Sequence, residues 1–226
     1  MKIRIAIDGP SGSGKSTLAK NIAKALGLTY VDTGALYRAV GLYARDHGIK
    51  TDDAAKVAAL LPDIRINLLY SDGEQKIFLC GEDVTGKIRT PDISMYASAV
   101  SAVPAVRKFL LETQKKTARE GNVIMDGRDI GTVIMPDADV KLFLEPSPEA
   151  RAERRYLELK EKNIECTRDE VYKDIVKRDS NDRNREIAPA VPADDAIFLD
   201  NSGFTPEETA HAALNIINEK LNRSVN

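Results

Sequence analysis

The chain has 226 residues, of which 42% are hydrophobic and 30% charged, a composition that fits a globular domain with an insertion and excludes a disordered chain. Lys and Arg number 33 against 35 Asp and Glu, and this slight acidic excess argues against a protein that coats nucleic acid. Two cysteines, Cys80 and Cys166, and two histidines, His47 and His211, are too few and too scattered for a disulfide framework or a Cys/His metal site.

The opening segment, MKIRIAIDGPSG, has no signal-peptide core, and no apolar run is long enough for a membrane span. A reduced, cytoplasmic protein with no membrane or nucleic-acid partner is expected. Lys2–Asp8 reads as a buried strand ending in a Gly-rich turn. Ser16–Leu26 follows as a helix stopped by Gly27, then a strand at Thr29–Asp32 and a helix over Gly34–Asp46. Thr51–Leu61 reads as a short helix closed by Pro62. Ile64–Tyr70, a Ser71-Asp72-Gly73 turn and Lys76–Cys80 read as a hairpin, with Gly81–Val84 as a third strand.

Helices are expected over Pro91–Val103 and Pro104–Glu120, and strands at Asn122–Asp126 and Val140–Leu144. Ser147-Pro148-Glu149 and the capping box Thr167-Arg168-Asp169-Glu170 start two further helices. Ala196–Asp200 is a last strand, and Thr205 caps a C-terminal helix that runs to about Leu221. Strands alternating with helices predict a parallel sheet flanked by helices, interrupted by a small β-rich insert at about 63–90.

The first strand and helix are joined by Gly9-Pro10-Ser11-Gly12-Ser13-Gly14-Lys15-Ser16, which fits G-x-x-x-x-G-K-[ST]. Its glycines let backbone N–H groups face phosphate oxygens, and the following helix adds its positive end. Lys15 can reach the β- and γ-phosphates, and Ser16 can ligate Mg²⁺. Asp126, at the end of a predicted strand, fits the carboxylate that holds Mg²⁺ directly or through water. Such a loop alone leaves GTPases, motor ATPases, sulfotransferase-like folds and small-molecule kinases open. No Asn-Lys-x-Asp is present for guanine, and the chain is short for a motor.

Arginines are spread over segments that could converge at one sheet edge, where a reaction between phosphorylated substrates needs donors. Arg128 stands beside Asp126 in Asp126-Gly127-Arg128-Asp129. Arg178, Asp182 and Arg185 are spaced to share one helical face, readable as a self-paired surface or as a clamp for phosphate and ribose.

Five segments resemble the bacterial cytidylate kinase family over essentially the full chain. They are Ile7–Thr17 (IDGPSGSGKST), Asp32–Arg38 (DTGALYR), Gly81–Thr90 (GEDVTGKIRT), Asp126–Val133 (DGRDIGTV) and Arg178–Pro192 (RDSNDRNREIAPAVP). The resemblance implies the α/β P-loop nucleoside-monophosphate kinase fold, as a single kinase domain over 1–226. Within it lie a monophosphate-binding region at about 33–115, containing the insert, and a lid at about 151–168. It implies transfer of the γ-phosphoryl group of MgATP to CMP or dCMP. A monomer is expected on separate grounds, because no long exposed apolar helix stands out. Gly9, Pro10, Ser11, Gly12, Ser13, Gly14, Lys15, Ser16 and Thr17 would bind ATP. Arg38, Arg128 and Arg185 would hold the acceptor phosphate, beside Thr33 and Tyr37. Ser98, Arg107 and Asp129 would read cytosine, and Arg178 and Asp182 the sugar. Lys15, Arg128, Arg178 and Arg185 would be catalytic, and one of the lid arginines Arg151, Arg154 or Arg155 would close on the ATP phosphates. Another acceptor, such as dephospho-CoA or shikimate, and a nucleotide-dependent switch are the rival readings.

Overall fold

Ile5, Ala6 and Ile7 are fully buried, so the first strand is covered on both faces, which is why it reads as a continuous apolar run rather than an alternating one. In the computed structural model, which describes residues 2–71 and 74–223, this strand is β1 (Arg4–Asp8). It leads through the Gly-rich turn into α1 (Lys15–Leu26), which ends on Gly27 in the left-handed conformation. The chain divides into two compact units. One comprises Met1–Leu28 with Asn122–Asn226, the other Thr29–Gly121.

The second unit begins with β2 (Thr29–Asp32) and α2 (Thr33–Asp46). Next comes α3 (Ala54–Leu60), shorter than expected because the Asp53 carboxylate accepts the Lys56 N–H and caps it there. Pro62 does not stop the chain from turning; it sits early in a 3₁₀ turn, Leu61–Asp63, where its missing N–H is harmless. The expected hairpin is β3 (Ile66–Ser71) against β4 (Glu74–Leu79), with Ile66 opposite Leu79, and β5 (Glu82–Asp83) is antiparallel to β4. Asp72 and Gly73 of the expected turn lie outside the described residues. A 3₁₀ turn at Lys87–Arg89 leads to α4 (Pro91–Ser101) and α5 (Pro104–Arg119).

This unit has its own core, with Leu36, Val40, Ile77, Ile88, Ile93 and Leu110 among its buried side chains. Its helices α2 and α4 pack at Gly41, where an added Cβ would meet the Ala97 nitrogen and the Tyr96 Cβ, both at 3.0 Å.

The first unit resumes with β6 (Val123–Gly127) and a single π-helical turn, Ile130–Ile134, which the sequence did not announce. Then follow β7 (Val140–Leu144), α6 (Pro148–Glu161), α7 (Arg168–Asn184), β8 (Ile197–Leu199) and α8 (Pro206–Arg223). The expected capping box is present: Thr167 Oγ1 accepts the Glu170 N–H while Glu170 accepts the Thr167 N–H. Helices α6 and α7 pack together over Ala152, Val171 and Ile175. Strand β1 lies between β6 and β7, with β8 beyond β7, all parallel. The register sets Asp8 beside Gly127, so the turn after β1 and the turn after β6 leave the sheet side by side at its carboxyl edge. Among the described residues, no helix is long and apolar enough to cross a membrane.

Gly41→Val should overpack the α2–α4 contact and lower stability by about 1–3 kcal/mol, read as a shifted urea midpoint.

Candidate active site

The turn after β1 can be made only with glycine at its first position. Gly9 has φ +148°, and a Cβ there would lie 2.3 Å from the Leu144 carbonyl oxygen at the end of β7. Gly14 has φ +87° and starts α1. Between them the carbonyls are held by donors. The Pro10 carbonyl accepts from Lys15 Nζ at 2.6 Å, the Ser11 carbonyl from Arg151 Nη1 at 3.1 Å, and the Ser13 carbonyl from Asn201 Nδ2 at 3.2 Å. Three of the loop's carbonyls are thus engaged, and the N–H groups of such a turn at the positive end of a helix suit an anion.

Lys15 is buried and also donates to Ser13 Oγ at 3.1 Å. Burial, reinforced by the Arg128 charge, pulls its pKa down to about 7. A bound polyphosphate would oppose both causes.

Ser16, in the first turn of α1, donates its hydroxyl to Asp126 Oδ2 at 2.8 Å. Two oxygen donors from separate segments thus meet in one place, and Asp126 is buried. This fits Mg²⁺, a hard cation held through one or two protein oxygens with water and phosphate completing its shell. Among the described residues no cluster of three or more His, Cys, Asp or Glu could hold a metal alone.

The segment after β6 is pinned from β1. Asp8, buried at the strand end, accepts the Ile130 N–H at 2.9 Å and the Gly131 N–H at 2.8 Å, one on each carboxylate oxygen. Burial raises its pKa to about 6 against the pull of those two bonds, with the neighbouring Asp129 adding to the rise. The pinned turn presents Arg128 and Asp129. Arg128 Nε donates to Asp182 Oδ2 at 2.9 Å, Arg185 Nη1 stands 3.6 Å from Asp182 Oδ1, and Arg185 Nη2 stands 3.7 Å from Asp129 Oδ1. Four expected site residues therefore form one alternating chain, Arg128–Asp182–Arg185–Asp129.

The shared helical face of Arg178, Asp182 and Arg185 needs correction. Helix α7 ends at Asn184 and Arg185 is extended, at φ −67° and ψ 143°. Its Nε donates forward to the Ala188 carbonyl, and Ala188 adopts a left-handed φ of 50°. Arg178 pairs with Asp174 at 3.0 Å, one turn earlier, rather than with Asp182.

The three lid arginines have different partners. Arg151 is buried and bonds the Pro146 and Ser11 carbonyls and Asp179, the last at 2.7 Å. Arg154 donates to the carbonyls of Asn201, Ser202 and Phe204. Arg155 pairs with Glu158 on its own helix at 2.7 Å.

In the second unit, Asp32 caps α2 by accepting the Ala35 N–H at 3.0 Å, and its other oxygen meets Arg38 at 3.1 Å and Arg89 at 3.5 Å. Thr33 and Tyr37 are buried on α2. The Arg107 guanidinium lies 5.5 Å from the centre of the Tyr37 ring and donates to the Ser101 carbonyl at 3.4 Å. Ser98 is on α4, where its carbonyl accepts from Ser101 Oγ at 2.8 Å.

A family model described as cytidylate kinase matches residues 5–219. The chain belongs to the cytidylate kinase family. Cytidylate kinase from Caldicellulosiruptor saccharolyticus is 46% identical over 224 residues, covering 99% of each chain. That from Carboxydothermus hydrogenoformans is 48% identical over 218 residues, covering 96% of this chain and 98% of its own. A crystal structure of an uncharacterized protein from Eubacterium ventriosum superimposes with a TM-score of 0.53 at 13% identity, covering 97% of this chain and 99% of that one, and shares the fold. Membership of the cytidylate kinase family makes the chain a phosphotransferase of the α/β P-loop kinase fold.

The sequence reading did not single out Asp8, Asn201 or Asp179, which brace the loops of this site. Asp8 and Asn201 each end a strand or follow one, a position where a polar residue after an apolar run could have drawn notice.

The raised pKa of Asp8 has a stability consequence. The folded state binds the Asp8 proton more tightly than the unfolded chain does, so this contribution is full below pH 3.8 and is lost as pH rises through about 6. Relative to Asp8→Asn, the protein should lose about 2 kcal/mol of stability between pH 4 and pH 7, measured by chemical denaturation across that range.

Proposed function

We propose that the chain transfers the γ-phosphoryl group of MgATP to CMP or dCMP, giving ADP and CDP or dCDP. The observation that carries this reading is the Arg128–Asp182–Arg185–Asp129 chain in a member of the cytidylate kinase family. A phosphate acceptor is already ionised, so the reaction needs positioning and charge neutralisation rather than a strong base. Arg128, Arg185 and Arg38 supply guanidiniums for the acceptor phosphate. Each already lies against a carboxylate, so an incoming phosphate finds its donors oriented.

Asp129 supplies an acceptor for the cytosine amino group, and Arg107 a donor for O2 and N3. Uracil, with a carbonyl in place of the amine, would oppose Asp129. Ser98 borders the base, Thr33 and Tyr37 the phosphate, and Asp182 and Arg178 the sugar. On the donor side, Gly9 to Thr17 wrap the ATP phosphates and Lys15 neutralises the β- and γ-oxygens. Ser16 and Asp126 would hold Mg²⁺, directly or through water, where it adds positive charge beside the transferring group.

Arg155 is the arginine of 151–168 assigned to the ATP phosphates. Its partner, Glu158, is a partly exposed carboxylate on the same helix, which a polyphosphate can replace cheaply. Arg151 and Arg154 are committed to backbone carbonyls. Closure of the lid would exclude water and suppress ATP hydrolysis. The cytoplasm is the compartment proposed.

Coupled ADP release should be fastest with CMP or dCMP among the nucleoside monophosphates; faster turnover of UMP or AMP would refute the specificity. Asp129→Ala should lower the CMP-to-UMP ratio of kcat/KM about tenfold or more, and an unchanged ratio would remove its assigned role. Arg155→Met should reduce kcat by about 100-fold in the same assay, with thermal stability unchanged.

A further inference from the structure

Arg151, near the start of α6, is a buried cation held from several directions. Its Nε donates to the Pro146 carbonyl at 3.1 Å. A single nitrogen, Nη1, serves both the Ser11 carbonyl of the phosphate turn at 3.1 Å and Asp179 Oδ2 of α7 at 2.7 Å. The turn itself rests on this residue: a Cβ added at Gly12 would lie 3.5 Å from the Arg151 Cβ. The Asp179 side chain is 13% exposed, and its second oxygen, Oδ1, is buried with no hydrogen-bond partner among the described residues. That carboxylate is given over to one arginine.

A buried ion pair is often no more stabilising than an apolar pair of the same volume, and an oxygen left without a donor adds to its cost. What the pair does supply is direction, because a guanidinium and a carboxylate fix one another's angle as well as their distance. One turn further along α7, Asp182 accepts from Arg128 Nε at 2.9 Å. Residues three apart are neighbours on a helix surface, about 4.5 Å apart along its axis. Neighbouring carboxylates at one helix end therefore hold two arginines, the one that braces the phosphate turn and the one that belongs to the turn after β6. We propose, on the phosphotransfer reading above, that Asp179 is a positioning residue. Through Arg151 it ties α7 to the phosphate turn, and so sets the distance from that turn at which Asp182 presents Arg128 to the acceptor phosphate. Donor and acceptor must stand in line for transfer, and a small misplacement costs turnover more than it costs binding.

The test follows kcat and the KM values for ATP and CMP in the full chain, with urea midpoints measured beside them. Asp179→Ala should lower kcat about 30-fold while both KM values stay within about threefold. Asp179→Asn, whose amide oxygen can still accept from Nη1, should lose only about threefold in kcat. Removing both charges separates stability from positioning. Arg151→Met combined with Asp179→Leu should return the urea midpoint toward that of wild type, since neither charge is left buried alone, while kcat stays about tenfold or more below wild type. With Arg151→Met already in place, Asp179→Leu should change kcat by less than about twofold, because Asp179 acts through that arginine. A kcat for Asp179→Ala within about twofold of wild type would overturn the inference. So would a loss carried by KM alone, a kcat that recovers with the urea midpoint in the double variant, or an Asp179 effect that persists after Arg151→Met. Should Asp179→Ala not fold, Asp179→Asn and the double variant decide the matter, and wild-type kcat in both refutes the role. If the wild-type protein turns over another nucleoside monophosphate faster than CMP, the CMP reading fails by itself. The same ratios measured with that nucleotide then decide the role of Asp179.

Discussion

Lys15 is held out of water against the carbonyl of the turn that precedes it, and much of the first unit follows from making that arrangement stable without an anion. Backbone carbonyls left facing the same space would compete with phosphate. They are instead taken by Lys15, Arg151 and Asn201, which come from α1, α6 and the end of β8. Three elements distant in sequence therefore meet on six residues of loop. Gly9 completes the arrangement by allowing the loop to pass against the end of β7, where any side chain would collide with backbone.

The same logic of holding charge in readiness governs the arginines. Each guanidinium expected to face the acceptor phosphate lies against a carboxylate: Arg128 against Asp182, Arg185 against Asp129 and Asp182, and Arg38 against Asp32. The carboxylates restrict the rotamers of these arginines, so less order remains to be imposed when substrate arrives.

Local chemistry was legible in the sequence and distant chemistry was not. The phosphate turn, the capping box at Thr167 and strand β7 each depend on neighbours within a few residues and stood where the residues placed them. The roles of Asp8 and Asn201 depend on backbone groups 122 and 188 residues away. A backbone N–H or C=O has no letter of its own, so a side chain dedicated to one leaves no pattern to find. Arg185 shows the complementary failure. Its spacing from Asp182 suited a helix, but α7 stops one residue short, and the extended backbone sends its side chain to Ala188, Asp182 and Asp129. The roles proposed for the arginines rest on family resemblance rather than on periodicity.

The pairing of β1 with β6 has a consequence for how the chain acquires its structure. Arg4 lies opposite Val123, so the central strand pair of the first unit closes over the whole of the intervening chain. For an unstructured loop of that length the closure entropy alone is about 4 kcal/mol, before any contact repays it. The segment 29–121 carries a core of its own, built from α2 to α5 and the β3–β4 hairpin. A chain that builds this core first closes β1 onto β6 across a compact body instead of a coil. The segment that interrupts the sheet in sequence thereby shortens the search that completes it.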